Sequence, residues 1–387
     1  MRSGEGVSPA MNPQFTDPES LHRHYAGGEE LLPLWIAEPY VDLAPEVTAA
    51  LESRAQQGWY GYETRPTEVI GAFWSWMNKR HNWGHVGLQT LVSPSVGTSI
   101  GVLIEQLTKP GDGVILQPPV FTDFKPLVLA AERSVAPSAL VIDDGRYRMD
   151  LHDLAVKAAN PDNTALILCN PHNPVGRVWT RDELSAVAEI CATHGVVVIA
   201  DEIHADLNLS PHAFTPFAVA AADTGVRWAA LHGPIKTFGL AGVCDTLMIT
   251  ADEQVATLFE TRRSQLHLTR NNVFGLAAFE AAYRANEAWL DGLLELVAAN
   301  RSVLQSGLPD GVELSPMEGT YLAWLDFRAL GMDVPQLSQW LAEDARLALS
   351  PGHWFGRQGA GFARMTIAAP TSQIEDAIER ITHAVGK

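Results

Sequence analysis

Lys236 stands in an apolar run punctuated by glycine and proline, Gly233-Pro-Ile-Lys-Thr-Phe-Gly-Leu-Ala-Gly242, where a lysine has no obvious surface role. Two upstream residues give it meaning. Asp201 ends the apolar run Gly195-Val-Val-Val-Ile-Ala200, and Asn173 sits in Asn170-Pro-His-Asn-Pro-Val-Gly176, directly after another apolar run. Each residue has an ordinary reading: a solvated lysine, an aspartate capping a helix, an asparagine in an Asn-Pro turn. Together and in this order they match what an enzyme needs to hold pyridoxal 5'-phosphate. The lysine forms the Schiff base, and the acid keeps the pyridine nitrogen protonated so that the ring draws electrons.

The elements that must position these groups read as alternating strands and helices from about residue 90 onward, which argues for βαβ units and a parallel sheet. Strands are expected at Thr90–Val92, Val114–Gln117, Ala165–Cys169 and Val196–Ala200. Between the first two, an apolar helix follows Ser93-Pro-Ser-Val-Gly-Thr98. Thr180-Arg-Asp-Glu183 reads as a capping box opening another helix that stops at Gly195. Asp201 is thereby expected at the carboxyl end of a parallel strand, where open α/β sheets place ligands. From Phe274 to Leu304 the apolar spacing is helical, without a strand break. Beyond it, strand-like runs at Gly319–Asp326 and Phe362–Ile367 flank a helix near Val334–Ala345. The expected organisation is an N-terminal segment 1–45 packing on the small domain, a large cofactor-binding domain 46–273, and a smaller α+β domain 274–387.

Composition narrows the partners. A formal charge of −18 argues against a nucleic-acid groove or an anionic membrane surface. Cys169, Cys191 and Cys244 are scattered without CxxC spacing, which gives no metal or disulfide framework and suits a reducing compartment. With no apolar leader in Met1–Ser20 and no run of roughly 20 apolar residues, the expectation is a soluble, cytoplasmic, globular protein of enzyme size. No metal site is expected.

With Asn170-Pro-His-Asn-Pro-Val-Gly176, Asp201-Glu-Ile-His-Ala-Asp206 and Lys236-Thr-Phe in view, the chain resembles the fold-type-I pyridoxal-phosphate enzymes, the class I/II aminotransferase group. Pro33-Leu-Trp-Ile-Ala37, Gly61-Tyr62, Gln117-Pro-Pro-Val-Phe121, Gly319–Asp326 and Pro351-Gly-His-Trp-Phe-Gly356 add to the likeness, which looks closest to the cystathionine β-lyase and C–S lyase branch. The resemblance implies an aspartate-aminotransferase-like fold with a mostly parallel sheet and a smaller α+β domain. It implies Lys236 as Schiff-base lysine and α-proton base, and Asp201 as partner of the pyridinium nitrogen. Asn173 and His204 fall on the ring hydroxylate edge, Phe121 on the ring face, and the Val96 and Gly97 N–H groups on the phosphate. Arg364 is implied as the clamp on the substrate carboxylate, with Ala37 and His353 beside the substrate. Tyr62 would reach the phosphate of a neighbouring subunit, in a homodimer with its site at the interface.

The chain departs from the family in places. Gly233 and Ile235 stand where small hydroxyl residues are usual, and Cys244 where a basic residue is usual; all three normally support the phosphate. Phe121 replaces a tyrosine, and Glu38-Pro-Tyr40 replaces the usual acidic pattern. The expected activity is β-elimination of a cysteine S-conjugate to thiol, pyruvate and ammonia, in specialised metabolism. Transamination, decarboxylating deamination, or a non-catalytic regulatory or scaffold protein on this fold are the alternatives. Thr98, Thr237 and Tyr62 are the groups left to replace the missing phosphate contacts.

Overall fold

A computed structural model describes residues 13–25, 31–285 and 287–386. Its central feature is a seven-stranded sheet in the order Gln89–Ser93, Thr246–Thr250, Trp228–His232, Val197–Asp201, Asn163–Cys169, Gly113–Leu116, Ser134–Pro137. Six strands run the same way. Thr246–Thr250 alone is antiparallel to both of its neighbours. Val197–Asp201 and Trp228–His232 are buried at every residue, as continuous apolar runs covered by helices on both faces must be.

The helix starts follow from local chemistry. Ser95 caps Val96–Leu107 by accepting the Thr98 N–H at 3.0 Å. Thr180 and Glu183 form a reciprocal capping box on Arg181–His194, and that helix ends at Gly195 with a left-handed φ of 72°. The helical pattern after residue 273 resolves into two helices, Val273–Ala285 and Glu287–Gly307. The first packs on Pro45–Gln56 and Thr67–His81, and the second on Thr371–Val385.

A second, four-stranded antiparallel sheet is ordered Glu313–Leu314, Leu322–Asp326, Phe362–Thr366, Ser350–Pro351. Helix Val334–Glu343 lies between its strands in the chain. Near the N-terminus, Leu32–Pro33 pairs in parallel with Leu347–Ala348, while Leu21, Tyr25, Leu31 and Trp35 pack with Ala342 and Ala348. The three cysteines are free and buried. Among the described residues no helix is long and apolar enough to cross a membrane.

Strands Trp228–His232 and Thr246–Thr250 were not expected from the sequence. Five-residue apolar runs carry too little periodicity to separate a buried strand from a short helix.

Candidate active site

The strand register brings the three signature residues together. Asn163–Cys169, Val197–Asp201 and Trp228–His232 are adjacent and parallel, with Cys169 beside Asp201 and Asp201 beside Leu231. Their carboxyl ends therefore release the Asn170–Gly176 turn, Asp201 and the Lys236 loop at one edge of the sheet. Glu202 stitches this edge. Its carboxylate accepts the Asn170 Nδ2–H at 3.0 Å and the Phe217 N–H at 2.7 Å, and lies 2.8 Å from His232 Nε2.

Lys236 Nζ donates to the Ala37 carbonyl at 2.8 Å. Burial, and next the cationic Arg364, hold its pKa down at about 8 against the attraction of Glu38 and Asp201. Such an amine is neutral far more often at pH 7 than a surface lysine. Asp201 is buried, and among the described residues its carboxylate accepts only the Ile203 N–H, at 3.2 Å. Burial raises its pKa to about 7, opposed by that hydrogen bond and by Lys236. A buried carboxylate with one weak donor calls for a proton or a cationic N–H from a ligand.

Arg364, on strand Phe362–Thr366, is buried. Its Nη2 donates to the Trp35 carbonyl at 2.8 Å and to Ser350 Oγ at 3.1 Å; Nη1 donates to Asn173 Oδ1 at 3.0 Å. The guanidinium lies 4.8 Å from the centre of the Phe355 ring. Nε is buried without a partner, and no carboxylate among the described residues pairs with this cation. Burial pulls its pKa down to about 10. His204 packs edge-on to Tyr321 at 6.0 Å, and its Nδ1 has no partner. Burial, with Lys236 and Arg364 nearby, holds it far below the ordinary histidine pKa, so the ring is uncharged.

Val96 and Gly97 open their helix with N–H groups that find no acceptor among the described residues, since the Ser95 side chain serves Thr98. Phe121 and His353 line a separate cavity of about 480 Å³ with Trp354 and Phe355. Tyr62 lies apart from this cluster: it is 84% exposed, with the Arg270 guanidinium 4.8 Å above its ring.

The departures have physical reasons. A Cβ at Gly233 would come within 3.1 Å of Thr246 Cγ2 and 3.3 Å of Thr246 Cα, so a side chain there would press on the antiparallel strand. Ile235 packs into the apolar core on both faces of the sheet. Cys244 is buried, its thiol pKa raised by burial, and its Sγ contacts the Gly275 carbonyl at 3.6 Å. Thr98 Oγ1 is hydrogen-bonded to Ser95 Oγ, and Thr237 Oγ1 to Asp206 Oδ2 at 3.1 Å, so both hydroxyls already have partners.

Two groups escaped the sequence reading as functional. The Tyr321 hydroxyl lies 3.2 Å from both the Ala37 and Lys236 carbonyls, where it braces the lysine's backbone. Asp206 is buried and accepts from Trp76 Nε1 at 2.8 Å and from Thr237, with His81 Nε2 also 2.8 Å away. The only signal for Asp206 was its place five residues after Asp201 in the same motif. If Asp206 holds the lysine loop through Thr237, Thr237→Val should lower kcat about tenfold, the effect of one hydrogen bond. Thr237→Ser should keep most of the rate; equal losses in steady-state kinetics would contradict this role.

Asp201 also has a consequence for stability. Its native pKa of about 7 lies above the ordinary 3.8, so between these values the folded cofactor-free protein holds a proton that the unfolded chain releases. Stability from this group is full below pH 4 and is lost as pH rises toward 7. Denaturant unfolding at pH 4.5 and 7.5 should show that loss in the wild type relative to Asp201→Asn. Identical pH slopes would contradict it.

The unpartnered donors at the Val96–Gly97 helix start, the orphaned Arg364 Nε and His204 Nδ1, the under-bonded Asp201 and the depressed Lys236 together fit an anionic ligand bearing an acidic ring N–H. Pyridoxal phosphate and an amino-acid carboxylate meet that description.

Comparison with known proteins agrees. The sequence matches the family "Aminotransferase class I and II" over residues 29–381. It is 36% identical to cystathionine beta-lyase PatB of Bacillus subtilis over 363 residues, covering 93% of this chain and 94% of that protein. The fold superposes on cystalysin of Treponema denticola, which contains pyridoxal 5'-phosphate, with a TM-score of 0.89, 29% identity and 95% and 94% coverage. It also superposes on the pyridoxal-phosphate-bound C–S lyase of Staphylococcus hominis, with a TM-score of 0.84, 26% identity and 94% and 95% coverage. The whole-chain match shows what the lysine, aspartate and asparagine at or just past three neighbouring strand ends only suggest: this is a pyridoxal-phosphate-dependent enzyme of the class I and II aminotransferase family, in its cystathionine β-lyase and C–S lyase branch.

Proposed function

We propose that the enzyme is a β-eliminating lyase that converts a cysteine S-conjugate and water into a thiol, pyruvate and ammonia. The observation that carries this reading is Arg364, a buried cation with no carboxylate partner among the described residues, held by Trp35, Ser350 and Asn173 near the depressed amine of Lys236. Its Nε–H and one Nη1–H are used by no described residue and are the donors it offers a carboxylate. Bound here, pyridoxal phosphate supplies an electron-withdrawing ring that stabilises negative charge at the substrate Cα.

The chain's residues do the rest. Asp201 faces the need for a cationic N–H, and the Val96 and Gly97 N–H groups offer an anion site at a helix start. Asn173, with Oδ1 on Arg364, keeps its amide N–H groups for a ligand oxygen. His204 stays neutral beside them. Lys236, uncharged above pH 8, is the group to take the α-proton, while Ala37 and Tyr321 fix where its amine and backbone lie. With negative charge at Cα, the C–S bond breaks and the thiolate departs from Cβ.

Phe121 brings no phenol to assist a proton transfer, and Gly233, Ile235 and Cys244 bring no hydroxyl or cation to the phosphate. These departures favour a specialised conjugate over cystathionine itself, in a specialised-metabolite pathway. We also assign Tyr62 to a neighbouring subunit's site in a homodimer: Trp59, Tyr60 and Tyr62 are 58%, 51% and 84% exposed, an aromatic stretch that a second copy would cover. Supplying 2-oxo acids tests the reaction type. A lyase should turn over repeatedly without any, whereas turnover that requires one would replace this reading with transamination.

A further inference from the structure

We propose that the 480 Å³ cavity beside Phe121 is the subsite for the departing thiol, and that it selects conjugates whose sulfur carries an aromatic group bearing a negative charge. This assignment rests on the β-elimination reading and extends it to the substrate's far end.

The cavity adjoins the proposed chemistry through two walls. Phe121 is one. Phe355 is the other: the Arg364 guanidinium lies 4.8 Å from the centre of its ring. The Val120 N–H donates to the Phe355 carbonyl at 3.0 Å, which ties together the large-sheet loop and the Gly352–Phe355 turn, two segments that line the cavity. A substrate held by Arg364 therefore has this space within reach of its side chain. The volume falls in the range of about 300–1,000 Å³ usual for ligand pockets.

The lining states the chemistry. Phe121, Trp354 and Phe355, with Val120, Val135 and Pro137, form apolar walls suited to a ring. Lys125 and Arg357 stand at the rim, and neither forms an ion pair with a described residue. Partial burial holds His353 below its ordinary pKa. No acidic side chain lines the cavity itself; Asp123, next to the lining Thr122, accepts that residue's hydroxyl and attracts Lys236 and Arg364 on the side of the proposed chemistry. In a chain with 45 acidic and 27 basic residues, two cations without a described ion-pair partner set against this one flanking acid run against the global charge, and they give an anion two partners at the rim.

The test uses two conjugates of equal shape, S-(4-carboxybenzyl)-cysteine and its carbamoyl analogue, with the pyridoxal-phosphate-loaded enzyme. The expected result is a kcat/KM about tenfold higher for the acid, the scale of two exposed charge contacts. The ratio should shrink toward one at roughly 0.5 M salt. It should vanish or invert in the Lys125→Glu/Arg357→Glu variant, whose unfolding temperature should match wild type. Equal cleavage of both conjugates, or a preference that survives charge reversal, would overturn the assignment. If neither conjugate releases thiol, calorimetric binding to Lys236→Ala separates the two claims. Tighter binding of the acid would keep the subsite while sinking the lyase reading, and equal binding would sink the subsite as well.

Discussion

Lys236→Ala is expected to lose thiol release by at least roughly 10³- to 10⁴-fold, because the substitution removes the amine proposed to move the α-proton. The loss should fall on kcat, since Arg364, Asp201 and Asn173 remain in place to bind. The folded state should survive: Lys236 makes a single side-chain hydrogen bond, to Ala37, and its charged form is disfavoured where it sits. That last point has its own sign. The native pKa of about 8 lies below the ordinary 10.5, so between these values the unfolded chain binds the extra proton. Stability from this group rises with pH across that window. Competitive labelling of the cofactor-free protein with an amine-directed reagent should give Lys236 an apparent pKa near 8, and a value near 10.5 would contradict the buried, depressed amine. Near wild-type turnover in Lys236→Ala would remove the lysine from the reaction.

Arg364→Ala should lower kcat/KM on an amino-acid conjugate by roughly 10²- to 10⁴-fold, from the loss of two charge-assisted contacts worth roughly 1.5–3 kcal/mol each. Arg364→Lys should recover only part, because one ammonium cannot reproduce the fork. The discriminating substrate is the matching cysteamine conjugate, which lacks the carboxylate. It should be poor for both wild type and variant, with little difference between them. Equal fold-losses on both substrates would mean that Arg364 acts by holding Asn173 and Ser350 rather than by clamping a carboxylate.

Much of this arrangement was legible before any coordinates. The capping box at Thr180, the stop at Gly195 and the apolar run into Asp201 are local signals, and local signals survive folding. Asn173, Asp201 and Lys236 were legible as a set because their chemistry is rare in combination. The strand that delivers Lys236 was not, since Trp228–His232 is short, wholly buried and without alternation. Partners made across the fold were equally hidden. Nothing near Arg364 in sequence points to Trp35 or Ser350, and nothing near Thr237 points to Trp76 and His81 meeting on Asp206. The absent hydroxyl at Gly233 reads as a loss in sequence; in three dimensions it is a position where a side chain would press on Thr246.

Whether Lys236, Asp201 and Arg364 serve β-elimination is decided by following thiol and pyruvate together from a cysteine S-conjugate, with pyridoxal phosphate present and Lys236→Ala as control. Equal amounts of the two products at every time point, and neither from the variant, are the expected result. Substrate consumed without free thiol would contradict it, because the sulfur would then have stayed attached and a different bond would have been broken.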